Sequence, residues 1–406
     1  MLTRRNFLRS TLLLPAGLCL PKIAFAENSS DEVLVCVFQR GAVDGLSMLV
    51  PYTDPNYYDL RKSIAIPEPG NGRNRSLPLN DQFAMHPSLR PFQKMYEDKK
   101  LVAIPSCGSP NGSRSHFDAQ DYMESGVAGS KSVLDGWMNR VLAELETNSP
   151  FDALAMTTTM PRALRGNRSA LNIPDINRYE IGYANETGGI RRDVDAARIL
   201  SELYNNSSLG RSTLPAFEAL ESLRKRKYKS TNVEYPDGEF SRQLIELAQL
   251  IKSDLGVKLA FVEIGGWDTH ANQGGAVGQL AGNLYQLGYG ISAFFKDLAQ
   301  WSKNVVLITM SEFGRTVKQN GNNGTDHGHG TTFFAMGAVN GGQVLGNFQE
   351  LHKDNLYEGR DVPVTTDYRD VLTEILHHHM GVRNFDRIFP GYEVSQTRYP
   401  GSMAGT

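Results

Sequence analysis

The sequence predicts an α/β fold built on a largely parallel sheet, and three observations carry that prediction. Several short apolar runs rich in β-branched residues show little alternation. One pair of them brackets a long amphipathic helix. Each run ends in a cluster of small, polar or ionisable residues.

The first run is Glu32-Val33-Leu34-Val35-Cys36-Val37-Phe38. A strand that is apolar on both sides suits a central position covered on both faces. It gives way to Gln39-Arg40-Gly41-Ala42-Val43-Asp44-Gly45. A second run, Leu101-Val102-Ala103-Ile104, leads into Pro105-Ser106-Cys107-Gly108. The third spans Lys258 to Ile264 and stops at Gly265-Gly266; the fourth spans Asn304 to Met310. Between these two, apolar residues recur at 277, 280, 284, 287, 291, 294 and 298. Steps of three and four mark one face of a helix. Strand, helix, strand with buried strands reads as a βαβ crossover in a parallel sheet. Residues 150–255 differ, being rich in Asn, Ser and Arg. Ala196 to Tyr204, Ala216 to Lys227 and Phe240 to Leu255 read as helices of an insertion, the last packing on the sheet through Leu244, Leu247, Leu250 and Ile251.

Composition narrows the class. The chain has 406 residues, 40% hydrophobic and 21% charged, which excludes disorder and allows a large core. Three cysteines exclude a disulfide scaffold. No apolar stretch of about 18 residues exists, so a polytopic membrane protein is excluded. At the amino terminus, Thr3-Arg4-Arg5-Asn6-Phe7-Leu8 precedes the short apolar run Leu12 to Leu18 and a small-x-small signature, Ala24-Phe25-Ala26. The segment 1–26 resembles a twin-arginine (Tat) signal peptide. Its apolar run is too short for a stable transmembrane anchor. The resemblance implies the Tat translocon as a partner and a periplasmic or secreted destination. The chain beyond Ala26 carries 38 basic and 44 acidic residues, an excess of acid that argues against a nucleic-acid partner. It retains Cys36 and Cys107, and the sequence leaves open whether they pair.

Ligands of parallel sheets sit beyond the carboxyl ends of the strands. Asp44 follows the first strand, and Asn111-Gly112-Ser113-Arg114-Ser115-His116-Phe117-Asp118 follows the second. Trp267-Asp268-Thr269-His270 follows the third. Ser311-Glu312-Phe313-Gly314-Arg315 and then Gly324-Thr325-Asp326-His327-Gly328-His329-Gly330 follow the fourth. Carboxylate plus imidazole is the donor set for zinc, manganese or iron. Some of these residues also have a local reading. Asp44 before Gly45 is by itself a turn signal, and Asp268 with His270 reads equally as a turn with a surface imidazole. Asp326, His327 and His329 place three donors in four residues of a Gly-rich loop. His377-His378-His379 falls in an expected helix over 371–380, where consecutive side chains diverge, so it reads as a solvated helix end. His86 and His352 read as structural.

Five strings resemble the Tat-exported family called domain of unknown function 1501. They are Arg40 to Leu46, Ser115 to Gln120, Gly265 to His270, Ser311 to Thr316 and Pro363 to Arg369. The resemblance spans essentially the whole chain after the signal segment. It implies an alkaline phosphatase-like three-layer sandwich, as in phosphatases and sulfatases, with one domain over 27–406. By that comparison Glu263, Asp268 and His270 look like a first metal-binding group, His327 like a later ligand, and Asp44 like the acid that ends the first strand. Phe313 stands where a second histidine ligand is expected. Asp268 and His270 are also closer in sequence than the comparison asks, so their joint ligation requires a different local backbone.

The implied activity is metal-dependent hydrolysis of phosphate or sulfate esters, small or polymeric. A divalent cation (zinc, manganese or similar) held by Asp44, Asp268, His270, Glu312 and His327, with Glu263, Asp326 and His329 as further donors, polarises the ester. Ser115 or Ser113, at the start of an expected helix over Phe117 to Glu124, is the candidate nucleophile. By itself Ser115 reads first as that helix's cap, with Asp118 completing a capping box, and both roles can hold at once. Arg315 or Arg114 neutralises the transferring group. The alternative is a non-catalytic binding or maturation protein that keeps the fold.

Overall fold

The computed structural model describes residues 32–145, 147, 149, 151–176 and 232–403, and the short backbone pairing of Tyr183–Ala184 with Ile190–Arg191. Residues 1–26, expected to be a signal segment, and the expected helices at 196–204 and 216–227 lie outside the described residues. The main sheet has nine strands. In chain order they are β1 (Val33–Gln39), β2 (Leu101–Gly108), β3 (Ala153–Ala155), β4 (Leu171–Asn172) and β5 (Leu259–Ile264). Then come β6 (Val305–Met310), β7 (Thr331–Gly337), β8 (Gln343–Val344) and β9 (Thr366–Asp367). The spatial order is β8-β2-β7-β6-β1-β5-β3-β4, with β9 also beside β2. Every pairing is parallel except those of β7, which runs against both β6 and β2. The carboxyl ends of β1, β2, β5 and β6 therefore share one edge.

The sheet's two faces follow from the pleat. Val33, Val35 and Val37 of β1 enter one core, and Leu34, Cys36 and Phe38 the other. Among the described residues, six helices cover these faces. They are α1 (Arg90–Glu97), α2 (His116–Ser125), α3 (Trp137–Glu144), α4 (Glu239–Lys252), α5 (Gln279–Leu298) and α6 (Tyr368–His378). Phe92 of α1, Leu244 and Leu247 of α4 and Leu287 and Ile291 of α5 fill the first core. Met123 of α2, Trp137 and Val141 of α3 and Leu372 and Ile375 of α6 fill the second. Helices, sheet and helices make three layers, the expected α/β sandwich. Each such buried side chain contributes about 1.5–3 kcal/mol relative to exposure.

The expected βαβ unit is present with one refinement: β5 and β6 do not pair but flank β1. Val277, counted on the helix face, lies ahead of α5 and is 62% exposed. Gly278, at φ 120°, separates it from the helix. The second strand is longer than its apolar run. Phe333 faces Ile104 and Thr331 faces Cys107, so β2 carries one extra residue there. Ser106, in the left-handed region at φ 53°, is part of this bulge. The bulge turns Cys107 to the same core as Val102 and Ile104. Both cysteines are free. They lie on strands separated by β6 and β7, roughly 14 Å at the usual strand spacing, which is beyond disulfide reach.

Candidate metal centre

Three loops at the carboxyl edge of the sheet bring imidazoles to one carboxylate. His116 opens α2, where the Ser115 hydroxyl accepts the Asp118 N–H at 3.4 Å as the helix cap. His270 follows β5 in a tight turn, with Thr269 N–H donating to Trp267 O and His270 N–H to Asp268 O. That turn buries Thr269, whose hydroxyl donates to Gln273, and sends Asp268 and His270 to the same side. It is the different local backbone their short spacing requires. His327 lies on the Gly-rich loop, bridged to Arg315. The loop can approach because the facing residues are glycines: a Cβ on Gly314 would meet Gly330 O at 1.9 Å, and one on Gly324 would meet the His270 carbonyl at 2.4 Å.

The ligand atoms converge. His116, Asp268 and His327 each offer one within 4.8 Å of the others. His327 Nε2 is 3.0 Å from His116 Nε2, 3.0 Å from His270 Nε2 and 3.2 Å from Asp268 Oδ1. Asp268 Oδ1 is 3.0 Å from His270 Nε2 and 3.5 Å from His116 Nε2. Asp268 and His327 thus belong to two trios, one completed by His116 and one by His270. The edge of a tetrahedron around zinc, with bonds of about 2.0–2.1 Å, is about 3.3 Å.

The far side of each ring fixes which nitrogen carries the proton. His116 Nδ1 lies 2.7 Å from Glu312 Oε1, His270 Nδ1 3.3 Å from Asp326 Oδ1, and His327 Nδ1 2.8 Å from the Arg114 carbonyl. Oxygens of these kinds only accept, so the tautomer with its proton on Nδ1 donates there and turns the Nε2 lone pair toward the cluster, the form a cation would select. Converging lone pairs beside a carboxylate repel one another without a cation between them. The donor set, imidazole nitrogen plus carboxylate oxygen, fits a zinc-, manganese- or iron-class ion.

Charge in the surroundings suits that task. Burial pushes Asp268 upward, but the hydrogen bond and charge of Arg315 outweigh it and hold the carboxyl at about 2. Burial likewise opposes ionisation of Glu312, but hydrogen bonds from His116, Gln120 and the Gly41 N–H outweigh it and lower its pKa. The hydrogen bond to Glu312 raises His116, whereas burial lowers His327. Phe313 stacks on His116 at 4.9 Å and tilts against His327 at 5.1 Å. It is an apolar wall of the site where the family comparison asked for a histidine.

Several expected donors are engaged elsewhere. Asp44 does not join the cluster: its buried carboxylate accepts Arg61 Nη1 at 2.6 Å and Nη2 at 3.0 Å, with Ser47 and Gln273 completing its shell. Glu263 pairs with Arg40 at 2.6 Å. Glu312 directs its Oε1 to His116, Gly41 and Gln120, which makes it a support of His116 rather than a ligand. Asp326 supports His270 in the same way. His329 is buried and stacks on Tyr357 at 4.2 Å.

The arginines expected to grip an anion are also satisfied. Arg315 donates to the carbonyls of Ala42, Gly41, Trp267 and Thr325 and to Asp268 at 2.5 Å. Its fully buried guanidinium ties the loop after β1 to the Asp268 turn and the Gly-rich loop. Arg114 is held by Asp361 and Glu358. Ser113 Oγ accepts the Ser115 N–H. His377, His378 and His379 close α6 away from the site, and His379 Nε2 donates to Val33 O at the start of β1. His116 was the residue not selected from the sequence, although it stands among the polar residues after the second strand. Its signal was position: the first residue of a helix that starts at the ligand edge.

Among solved structures, a 2-O GAG sulfatase is similar over 92% of this chain and 76% of its own, at 8% identity and TM-score 0.42. The PsFucS1 sulfatase from Pseudoalteromonas sp. is similar over 92% and 72%, at 14% identity and TM-score 0.40. A protein in the alkaline phosphatase superfamily from Vibrio parahaemolyticus is similar over 76% and 61%, at 10% identity and TM-score 0.31. At these scores no residue-by-residue correspondence follows. No curated protein matches the sequence. The family model described as "Protein of unknown function (DUF1501)" matches residues 31–389, and the chain belongs to that family.

Proposed function

We propose that the chain is an exported metal-dependent hydrolase of phosphate or sulfate esters, with its centre at Asp268, His327, His116 and His270. The observation that supports it is the convergence of Nε2 lone pairs and one carboxylate from three separate loops, each ring fixed from behind by an oxygen acceptor. Those four residues would hold a divalent cation, which would supply polarisation of an ester oxygen. The protein's own residues do the rest. Arg315 keeps Asp268 ionised and aimed. Glu312, Asp326 and the Arg114 carbonyl keep the lone pairs pointing inward. Ser115, one residue before His116, is the nucleophile candidate, and a capping hydrogen bond at 3.4 Å leaves its own O–H free to be given up. The twin-arginine segment carries the folded chain outward.

The test is the metal content of protein purified after export, followed by turnover of an aryl phosphate, a phosphodiester and a sulfate ester. Bound metal with hydrolysis of one of these supports the reading; metal-free protein inert to all three ends it. One observation favours the alternative of a binding or maturation protein: Arg315 and Arg114, the guanidiniums expected on the transferring group, are spent on the protein's own acceptors. Metal retained without turnover selects that alternative.

A further inference from the structure

We infer that Asp361 is a positioning residue of this centre, holding His327 at two points through Arg114 and Arg360. The inference rests on the metal-centre reading above. Asp361 is fully buried. Its Oδ2 accepts Arg114 Nη2 at 2.6 Å, Arg114 Nε at 3.2 Å and Arg360 Nη2 at 3.2 Å; its Oδ1 accepts Arg360 Nε at 2.9 Å. Both arginines go on to His327. The Arg114 carbonyl accepts the His327 Nδ1–H at 2.8 Å, and Arg360 Nη2 donates to the His327 carbonyl at 2.8 Å. One grip sets the ring's tautomer and direction, the other fixes the backbone beneath it. The carboxylate's backbone lies on the same strip, bridged to Thr316 beside the Arg315–His327 bridge.

The physical role is charge. Two guanidiniums that share one carboxylate repel each other once it is neutral. Glu358, the other acid on Arg114, has a side chain 55% exposed and holds it weakly. With Arg114 displaced, the His327 ring loses the acceptor that keeps its proton on Nδ1. A proton on Nε2 removes a donor from the cluster.

The experiment uses the full folded chain and cobalt(II) or zinc(II) titrated against a chelating dye. Asp361→Asn is expected to weaken metal binding about 10–100-fold, the range for lost support of a ligating histidine, and to change the visible spectrum of the cobalt form. Asp361→Glu should recover part of the loss. Asp370→Asn is the control. It breaks another buried acid's contacts, with Arg398 and Tyr392, and should leave affinity and spectrum unchanged. Unaltered affinity in Asp361→Asn, or an equal loss in Asp370→Asn, overturns the inference. Should Asp361→Asn not fold, Arg360→Met, at a half-exposed side chain, removes one grip alone; wild-type affinity there overturns it equally. A wild-type chain that binds neither ion defeats the metal-centre reading itself, a result distinct from a wild type that binds and variants that match it.

Discussion

Glu312 Oε1 stands 2.7 Å from His116 Nδ1 and also accepts the Gly41 N–H at 2.8 Å and Gln120 Nε2 at 2.9 Å. The carboxylate follows β6, the glycine follows β1 and the glutamine lies one turn along α2. A single buried oxygen therefore registers a helix against two strand ends and fixes one imidazole as it does so.

Replacing that oxygen separates support from ligation. Glu312→Gln keeps the size of the side chain and removes its charge. Metal affinity should fall about 10–100-fold while the fold persists. A chelator competition titration on variant and wild type measures it, and equal affinities would show that Glu312 plays no part in holding His116.

Much of the scaffold could be read from the sequence, and the reasons are local. The β1, β5 and β6 runs are apolar on both sides because helices cover both faces, and the α5 face repeats at helical spacing from Leu280 to Leu298. The antiparallel β7 left no such mark, since a strand's direction is set by its partners and not by its composition. At the site, Asp268, His270 and His327 were legible as candidate donors after strand ends, and the fold brings them together. The competition for Asp44 was not. Arg61 lies 17 residues away in a segment with no motif, and only the folded chain brings its guanidinium onto that carboxylate.

Because the candidate donors sit on strand ends already fixed by two cores, an ion held by them should stabilise the chain without being needed to fold it. Chelation is expected to lower the melting temperature cooperatively and leave far-ultraviolet circular dichroism intact at 25 °C. Readdition at about 100 times the dissociation constant should restore about 2.7 kcal/mol. His327→Ala should melt at one temperature with or without metal. Unfolding at 25 °C on chelation would instead identify a structural ion.

The Asp44–Arg61 pair makes a different demand. Both side chains are buried, and Arg61 also donates to the carbonyls of Thr316 and Val317. Arg61→Met leaves an ionised carboxylate in the core without its counter-charge, and such removals cost about 3–5 kcal/mol. The double variant Asp44→Asn, Arg61→Met should lose less than Arg61→Met alone, because no orphaned charge remains. Urea unfolding of the set decides this; simple additivity would mean that the two groups are not coupled.

His86 gives the fold an acid limit. Its Nδ1 accepts the Ser88 N–H at 3.0 Å and its Nε2 donates to the Gly275 carbonyl at 3.1 Å, so the neutral ring is fully used at both nitrogens. Burial lowers its pKa from the ordinary 6.5 to about 4, against smaller upward pulls from the Gly275 carbonyl and Asp44. The unfolded chain takes up this proton first as pH falls. The stabilisation is therefore whole above pH 6.5 and is lost as pH falls to about 4, a swing on the order of 3 kcal/mol. His86→Gln can present the same acceptor and donor without titrating. Its unfolding free energy should change less than wild type between pH 7 and pH 4, and parallel pH curves for the two proteins would assign the acid limit to other groups.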